Sequence, residues 1–204
     1  MSGILGIKIG MSQIFTPAGE RVSVTLISTD GCVVVQNKSK EKEGYNAVQV
    51  GIGTKSISRV SKPLKKHFEK AKVKPTRWLK EFRLDEGVSY QPGQSLDLDF
   101  LKEGDWVKVR GVTKGRGFSG SIKRWGFKGG PGGHGSCFHR RPGSIGNHTY
   151  PSRVFKRRPM PGHYGVDQLT VKNKVMGIIK EENLLIVKGS VPGSQRGLLE
   201  IRKI

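Results

Sequence analysis

Four side chains suited to metal binding or nucleophilic attack lie close together in this sequence: His134, Cys137 and His139, with His148 a short way on. Imidazole and thiolate are good zinc ligands, and a thiolate beside an imidazole is the beginning of a nucleophilic pair. Neither chemistry is completed by its neighbours. There is no CxxC pair, no carboxylate nearby to orient a ligating imidazole, and Arg140 and Arg141 adjoin the cluster and disfavour a cation. A nucleophile and a base without an orienting third group do not make a catalytic site. GRGFSG, residues 115–120, spells the GxGxxG of a dinucleotide loop. The next residues, however, are SIKRWGFKGGPGG in place of an apolar helix, and Arg140 and Arg141 stand about where an acid would hold the ribose. No HRD or DFG triplet is present to support a kinase-type glycine loop. The residues therefore predict no enzyme, no metal, no cofactor and no small-molecule substrate.

The surroundings of the cluster give it a different meaning. Residues 106–166 contain no Asp or Glu, although the chain has 16 acids in 204 residues, and they carry thirteen Lys and Arg. Gly, Pro, Ser and His fill the middle of this run, with Phe118, Trp125, Phe127, Phe138, Tyr150 and Phe155 interleaved. Such a segment cannot bury enough aliphatic surface to fold alone. A solvated basic linker is one reading, since like charges repel and stay mobile. The other is an arm whose glycines let backbone approach a polyanion, whose cations neutralise phosphates and whose aromatic rings stack on bases. The interleaving favours the arm. Lys128, His134, His139, His148, Lys156, Arg157, Arg158 and His163 then become phosphate or base contacts.

The whole chain is basic, with 37 Lys and Arg giving a net charge of +21, which points to a densely anionic partner and most readily to nucleic acid. No apolar run is long enough to cross a membrane as a helix, and the first residues, MSGILGIKIGMSQIF, lack a leader pattern and read as a mature cytosolic start. Cys32 and Cys137, the two cysteines, imply no disulfide framework and fit a reducing, cytoplasmic setting.

The elements that must position the arm read mostly as strands. Apolar residues alternate through Ile7 and Ile9, then through Val22, Val24 and Leu26 after the turn signal TPAG. CVVVQ comes after the turn at Asp30 and Gly31, and Ala47 to Val50 forms a fourth strand-like run. Residues 61–73, SKPLKKHFEKAKV, instead place Pro63 at a helix start and Leu64, Phe68 and Ala71 on one face, with lysines on the other. RWLKEFRL fits either strand or helix. QSLDLDF and WVKVRGV alternate again and predict a hairpin whose second strand launches the arm. Beyond Asp167, strand patterns return around residues 175–179, 184–187 and 198–201. The expected fold class is mainly β with a small α/β insertion: a closed antiparallel β-barrel carrying a long basic, Gly-rich extended loop.

GVTKGRGFSGSIKRWGF, HRRPGSIG, RVFK and MPGHYG, in this order, together with the opening GILGIKIGMSQIF, KPLKKHF, EFRL and NLLIVKGSVPG, resemble the bacterial form of the large-subunit ribosomal protein three family over essentially the whole chain. The resemblance implies a barrel of translation-protein type from residues 1–54, 91–113 and 166–204, an α/β insertion at 55–90, and a loop at 114–165 that penetrates ribosomal RNA. It implies binding near the 3′ end of the large ribosomal RNA, action early in subunit assembly, a loop directed toward the peptidyl transferase centre, and neighbouring large-subunit proteins as partners, without catalysis. Lys114, Arg116, Lys123, Arg124 and Trp125 fall in the family's signature region, and Arg140, Arg141, Ser144, Asn147 and Arg153 in the part implied to reach deepest. Two positions depart from the family pattern. Thr149 stands where many relatives carry a glutamine that is methylated, which removes that modification from the expectation. Lys108 replaces the usual Asp or Asn and makes the root of the arm more basic.

Overall fold

A computed structural model describes residues 3–84 and 90–204, so the end of the expected 55–90 insertion lies partly outside the described residues. The chain divides into two compact units: Met1–Val112 with Gln168–Ile204, and Thr113–Asp167. The described residues are mainly β.

Six strands of the first unit form a ring. They are β1 (Gly3–Phe15), β2 (Arg21–Ser28), β6 (Trp106–Val112), β9 (Gln168–Ile179), β10 (Leu184–Lys188) and β11 (Leu198–Lys203), numbered in chain order with β3 (Val33–Lys38), β4 (Ala47–Thr54), β5 (Thr76–Arg83), β7 (Phe118–Ser119) and β8 (Gly162–His163). Their order is β1-β11-β6-β9-β10-β2, and β2 pairs back onto β1, every pairing being antiparallel. A ring leaves no open edge to template aggregation. Alternation decides what faces inward: in β6, Val107, Val109 and Gly111 are buried while Trp106, Lys108, Arg110 and Val112 face out. Ile4, Ile27, Val107, Val109, Leu185, Leu199 and Ile201 meet in the resulting core. Gly6 is required there by close approach, because a Cβ at that position would lie 2.5 Å from Ile27 Cγ2. At one end of the ring the buried Lys8 ammonium donates to the carbonyls of Val191 at 2.9 Å and Gly193 at 3.2 Å, which ties the β10–β11 connection to β1.

Residues 33–54 correct the expectation that the barrel takes all of residues 1–54. β3 and β4 leave the ring and build a second antiparallel sheet in the order β3-β4-β5. Alternation identifies a strand but not its partner, and the partner here is residues 76–83, the run that read equally as helix or strand. Burial of Val34, Val48, Val50, Ile52 and Phe82 fuses this sheet's core with that of the ring. A second correction concerns QSLDLDF. Leu96 and Leu98 are buried as their alternation predicts, yet the segment is irregular apart from a single bridge between Ser95 and Val33. Its backbone instead caps β3: Val34 N donates to Gln94 O at 2.9 Å, and Gly93 N to Val34 O at 2.8 Å. β6 therefore takes its partners from β9 and β11.

Helices are few and short. α1 (Lys40–Glu43) is a single turn closed by Gly44 in the left-handed region, and α2 (Lys62–Lys70) forms where Pro63 and the Leu64–Phe68 spacing predict it. Phe68 and Ala71 pack against Val35 beneath the three-stranded sheet. α3 (Ser121–Trp125) lies in the second unit.

Candidate nucleic-acid interface

Thr113–Asp167 begins as a ladder. Thr113 N donates to Asp167 O at 2.9 Å, Arg116 N to Tyr164 O at 2.8 Å and Tyr164 N to Gly117 O at 2.9 Å, after which β7 pairs with β8. The two limbs of the arm, GRGFS outgoing and GHYG returning, thus hold each other by backbone hydrogen bonds that no side-chain pattern announces. Rings reinforce them: the Arg116 guanidinium sits 5.4 Å from the centroid of Tyr164, and Phe118 meets His163 edge-on at 6.0 Å.

α3 comes next, one helical turn ended by Gly126 in the left-handed conformation. Its last residues fix the returning limb, since Arg124 Nη1 donates to Met160 O at 3.0 Å and Trp125 Nε1 donates to the same carbonyl at 2.8 Å. Gly162 is needed beside them, because a Cβ there would come within 2.5 Å of Arg124 Nη1. Arg124 also lies 5.1 Å from the Trp125 ring centroid, which leaves the indole half exposed beneath a cation. Sequence reasoning found Arg124 and Trp125 but missed Met160 and Tyr164. The first acts through its carbonyl and left no side-chain signal; the second could have been found by setting the two limbs antiparallel.

Further out the segment is a string of turns. Gly130 N donates to His139 O at 2.7 Å and Arg141 N to Phe138 O at 3.1 Å, so Phe138 packs against Gly130. His134, His139, Ser152 and Arg157 adopt left-handed backbone conformations that side-chain-bearing residues seldom occupy. Arg158 Nη2 reaches Ser144 O at 3.1 Å, Ser144 Oγ bonds Gly146 O at 3.0 Å, His148 Nδ1 meets Thr149 Oγ1 at 2.7 Å, and Arg153 lies 5.7 Å from the Phe155 ring centroid.

The remaining expected contacts are not brought together by the fold. Among the described residues, the side chains of Lys114, Lys123, Lys128, His134, His139, Arg140, Arg141, Asn147, Lys156 and Arg157 form no hydrogen bond or ion pair, and all of them are exposed. The segment holds eleven Lys and Arg against one acid, Asp167, and none of the ion pairs among the described residues involves it. Its buried residues are Ser119 and Ser121, while Phe118, Trp125, Tyr150 and Phe155 stand 71%, 49%, 90% and 57% exposed. Unpaired cations interleaved with uncovered rings suit a partner that offers phosphates to the first and bases to the second.

The cysteines and histidines do not gather into an alternative site. Among the described residues no three His, Cys, Asp or Glu side chains approach closely enough to hold a metal ion. Both thiols are free, and burial pushes that of Cys32 up to about 12. No helix among the described residues is long and apolar enough to cross a membrane.

Comparison with known proteins agrees with this geometry. The family model for ribosomal protein L3 matches residues 91–182, a span that includes the arm and both of its roots. Large ribosomal subunit protein uL3 of Thermotoga maritima is 49% identical over 203 residues, covering 99% of this chain and 97% of that protein. The uL3 proteins of Pelotomaculum thermopropionicum and Carboxydothermus hydrogenoformans are 49% and 48% identical, each over 98% of this chain and 96% of their own length. On that likeness, which runs from one end to the other, the chain belongs to the ribosomal protein L3 family.

Proposed function

We propose that this chain is a structural constituent of the large ribosomal subunit, working without catalysis in the cytoplasmic ribosome. It binds the large-subunit ribosomal RNA near its 3′ end, supports early assembly of the subunit beside neighbouring large-subunit proteins, and extends residues 114–165 toward the peptidyl transferase centre. The first unit, organised as a barrel of translation-protein type, docks on the RNA surface. The arm orders among RNA helices as phosphates replace the solvent around its cations. The observation that carries this reading is the arm itself: eleven cations with no carboxylate among the described residues to neutralise them, and aromatic rings left uncovered. Lys114, Arg116, Lys123, Arg140, Arg141, Arg153, Lys156, Arg157 and Arg158 serve as phosphate contacts, and Trp125 and the histidines as base or sugar contacts.

Each neutralised phosphate releases condensed counterion, so affinity falls with salt by a logarithmic slope of about 0.7 to 0.9 per contact. Deleting residues 117–162 is expected to leave the first unit folded, weaken binding to large-subunit ribosomal RNA and flatten that slope. A deletion variant with the full-length slope would remove the arm from the binding account.

A further inference from the structure

The arm is not the only surface whose cations lack partners. Between residues 55 and 77 the chain carries nine Lys and Arg against a single acid, Glu69, and among the described residues none of the nine enters an ion pair. α2 organises most of them. Phe68 is buried and Leu64 half-buried on the face toward Val35, so the 3.6-residue period turns Lys62, Lys65, Lys66 and Lys70 outward, and all four are exposed. Neighbours three and four residues apart on such a face stand about 5–6 Å from one another. Lys72 and Lys74 extend the patch past the end of the helix, and with Lys65 they line a shallow depression of about 350 Å³.

Lys72 supplies a second observation. It sits just beyond the Ala71 C-cap at φ 53°, in the left-handed region, and is held there by Lys72 N donating to Glu69 O at 3.0 Å and Val73 N to Phe68 O at 3.1 Å. Glycine usually fills this position because a Cβ is strained in it. A lysine there spends stability and places an ammonium at the rim of the depression. Strain kept at an exposed position points to function outside the fold.

We propose that the outer face of α2 with Lys72 and Lys74 is a second RNA-binding surface, one that grips phosphates and reads no bases. This rests on the proposed ribosomal RNA binding and adds to it a contact separate from the arm. The chemistry distinguishes the two surfaces: the arm interleaves cations with exposed rings, whereas the α2 patch presents lysines and no exposed aromatic side chain from residue 59 to residue 74. Flexible point charges without stacking platforms suit a sugar–phosphate backbone.

The test measures binding of the full-length chain to transcribed large-subunit ribosomal RNA across a salt series, with folding verified by circular dichroism. The variant K62Q/K65Q/K66Q/K70Q is expected to bind at least about tenfold more weakly at low salt, with a slope shallower by about two to four, one per lost phosphate contact. A charge-matched control, K40Q/K42Q/K172Q/K174Q, changes four exposed lysines elsewhere and is expected to leave the slope nearly intact. Lys72→Gly relieves the left-handed strain, so it should melt no lower than the parent while its slope falls by about one. An unchanged slope in the fourfold variant, or an equal loss in the control, overturns the inference, the first outcome pointing to an acidic protein as partner and the second to net charge alone. The arm deletion keeps the two proposals apart: if it leaves binding intact while the α2 variant weakens it, the arm reading fails and this one stands.

Discussion

Among the described residues, every ion pair lies within the first unit, where Lys38, Lys80, Arg110, Lys180 and Lys203 meet the chain's own acids and the α2 lysines do not; within Thr113–Asp167 no cation is paired. Lys38 meets Glu81 at 2.7 Å, Lys203 meets Asp105 at 2.6 Å, and Lys80 and Arg110 share Glu200. Apolar side chains divide in the same way, since among the described residues every buried hydrophobic one belongs to the first unit, while in the second Phe118, Trp125, Phe138, Tyr150 and Phe155 are exposed and Phe127 and Tyr164 half-buried. The first unit therefore has a hydrophobic core of its own, and the second leaves its cations unpaired and most of its rings uncovered. Surface ion pairs contribute little to stability, so the contrast matters less for what it adds to the first unit than for what it leaves available in the second.

The sharpest way to break this comparison is a matched pair of truncations. Leu185 is fully buried in the ring, and Leu185→Ala should cost about 2–5 kcal/mol in urea denaturation, from lost burial and the cavity left behind. Phe155→Ala removes a larger side chain from the arm yet should change stability by less than about 0.5 kcal/mol. If its ring stacks on a base, the same change should instead weaken RNA binding by about 1–3 kcal/mol. A large loss of stability from Phe155→Ala would mean that the arm has a core of its own, and the comparison would collapse.

Glycine gives a second, smaller test, because the two units use it differently. Gly6→Ala drives a methyl group into Ile27 and toward Ile201 Cδ1 at 3.1 Å, and overpacking of this kind costs about 1–3 kcal/mol. Gly132 has open space around it and an ordinary backbone conformation, so Gly132→Ala should be neutral or stabilise by up to about 1 kcal/mol by restricting the unfolded chain. Calorimetric melting temperatures would separate the two. A drop in RNA affinity for Gly132→Ala at unchanged stability would assign that glycine to close backbone approach.

How far this division could be read from the sequence depended on whether side chains or backbone carried the information. The arm was legible because charge and residue type are side-chain properties; the gap in acids ends within one residue of the arm's limit at Asp167 but begins seven residues before Thr113, because β6 also lacks acids. Strand positions were legible from alternation at β1, β2, β6, β10 and β11. Pairing was not: β3 and β4 look like ring strands until β5 is known to be a strand. Leu96 and Leu98 alternate because both are buried, which is a statement about the core and not about a ladder. At the site, Arg124 and Trp125 stood out by type, but the Met160 carbonyl that receives both is a backbone group in a run of Pro and Gly, where composition is silent. For Lys114, Lys123, Lys128, Arg140, Arg141, Lys156 and Arg157 there was no intrachain contact to find, since their side chains form no hydrogen bond or ion pair among the described residues.

The smallest effect bears on the ion pairs themselves. Lys38, hydrogen-bonded to Glu81, holds that carboxyl below the ordinary range; burial opposes this, and the Tyr45 hydroxyl at 2.9 Å and the Gln49 amide at 3.4 Å assist it. A carboxyl whose folded value lies below its unfolded one binds its proton less readily in the folded state, so its ionised form favours folding. That contribution is complete above the unfolded value, near 4.5, and disappears as pH falls through the lower folded value. Glu81→Gln should therefore be less stable than the parent at neutral pH, with the difference shrinking as urea titrations move into acid. A difference that stays constant with pH would show that Glu81 acts through packing and hydrogen bonds and not through its charge. Neutralising Arg140 and Arg141 should leave the acid limb of the same stability profile unchanged, because residues 106–166 contain no carboxylate to titrate against them.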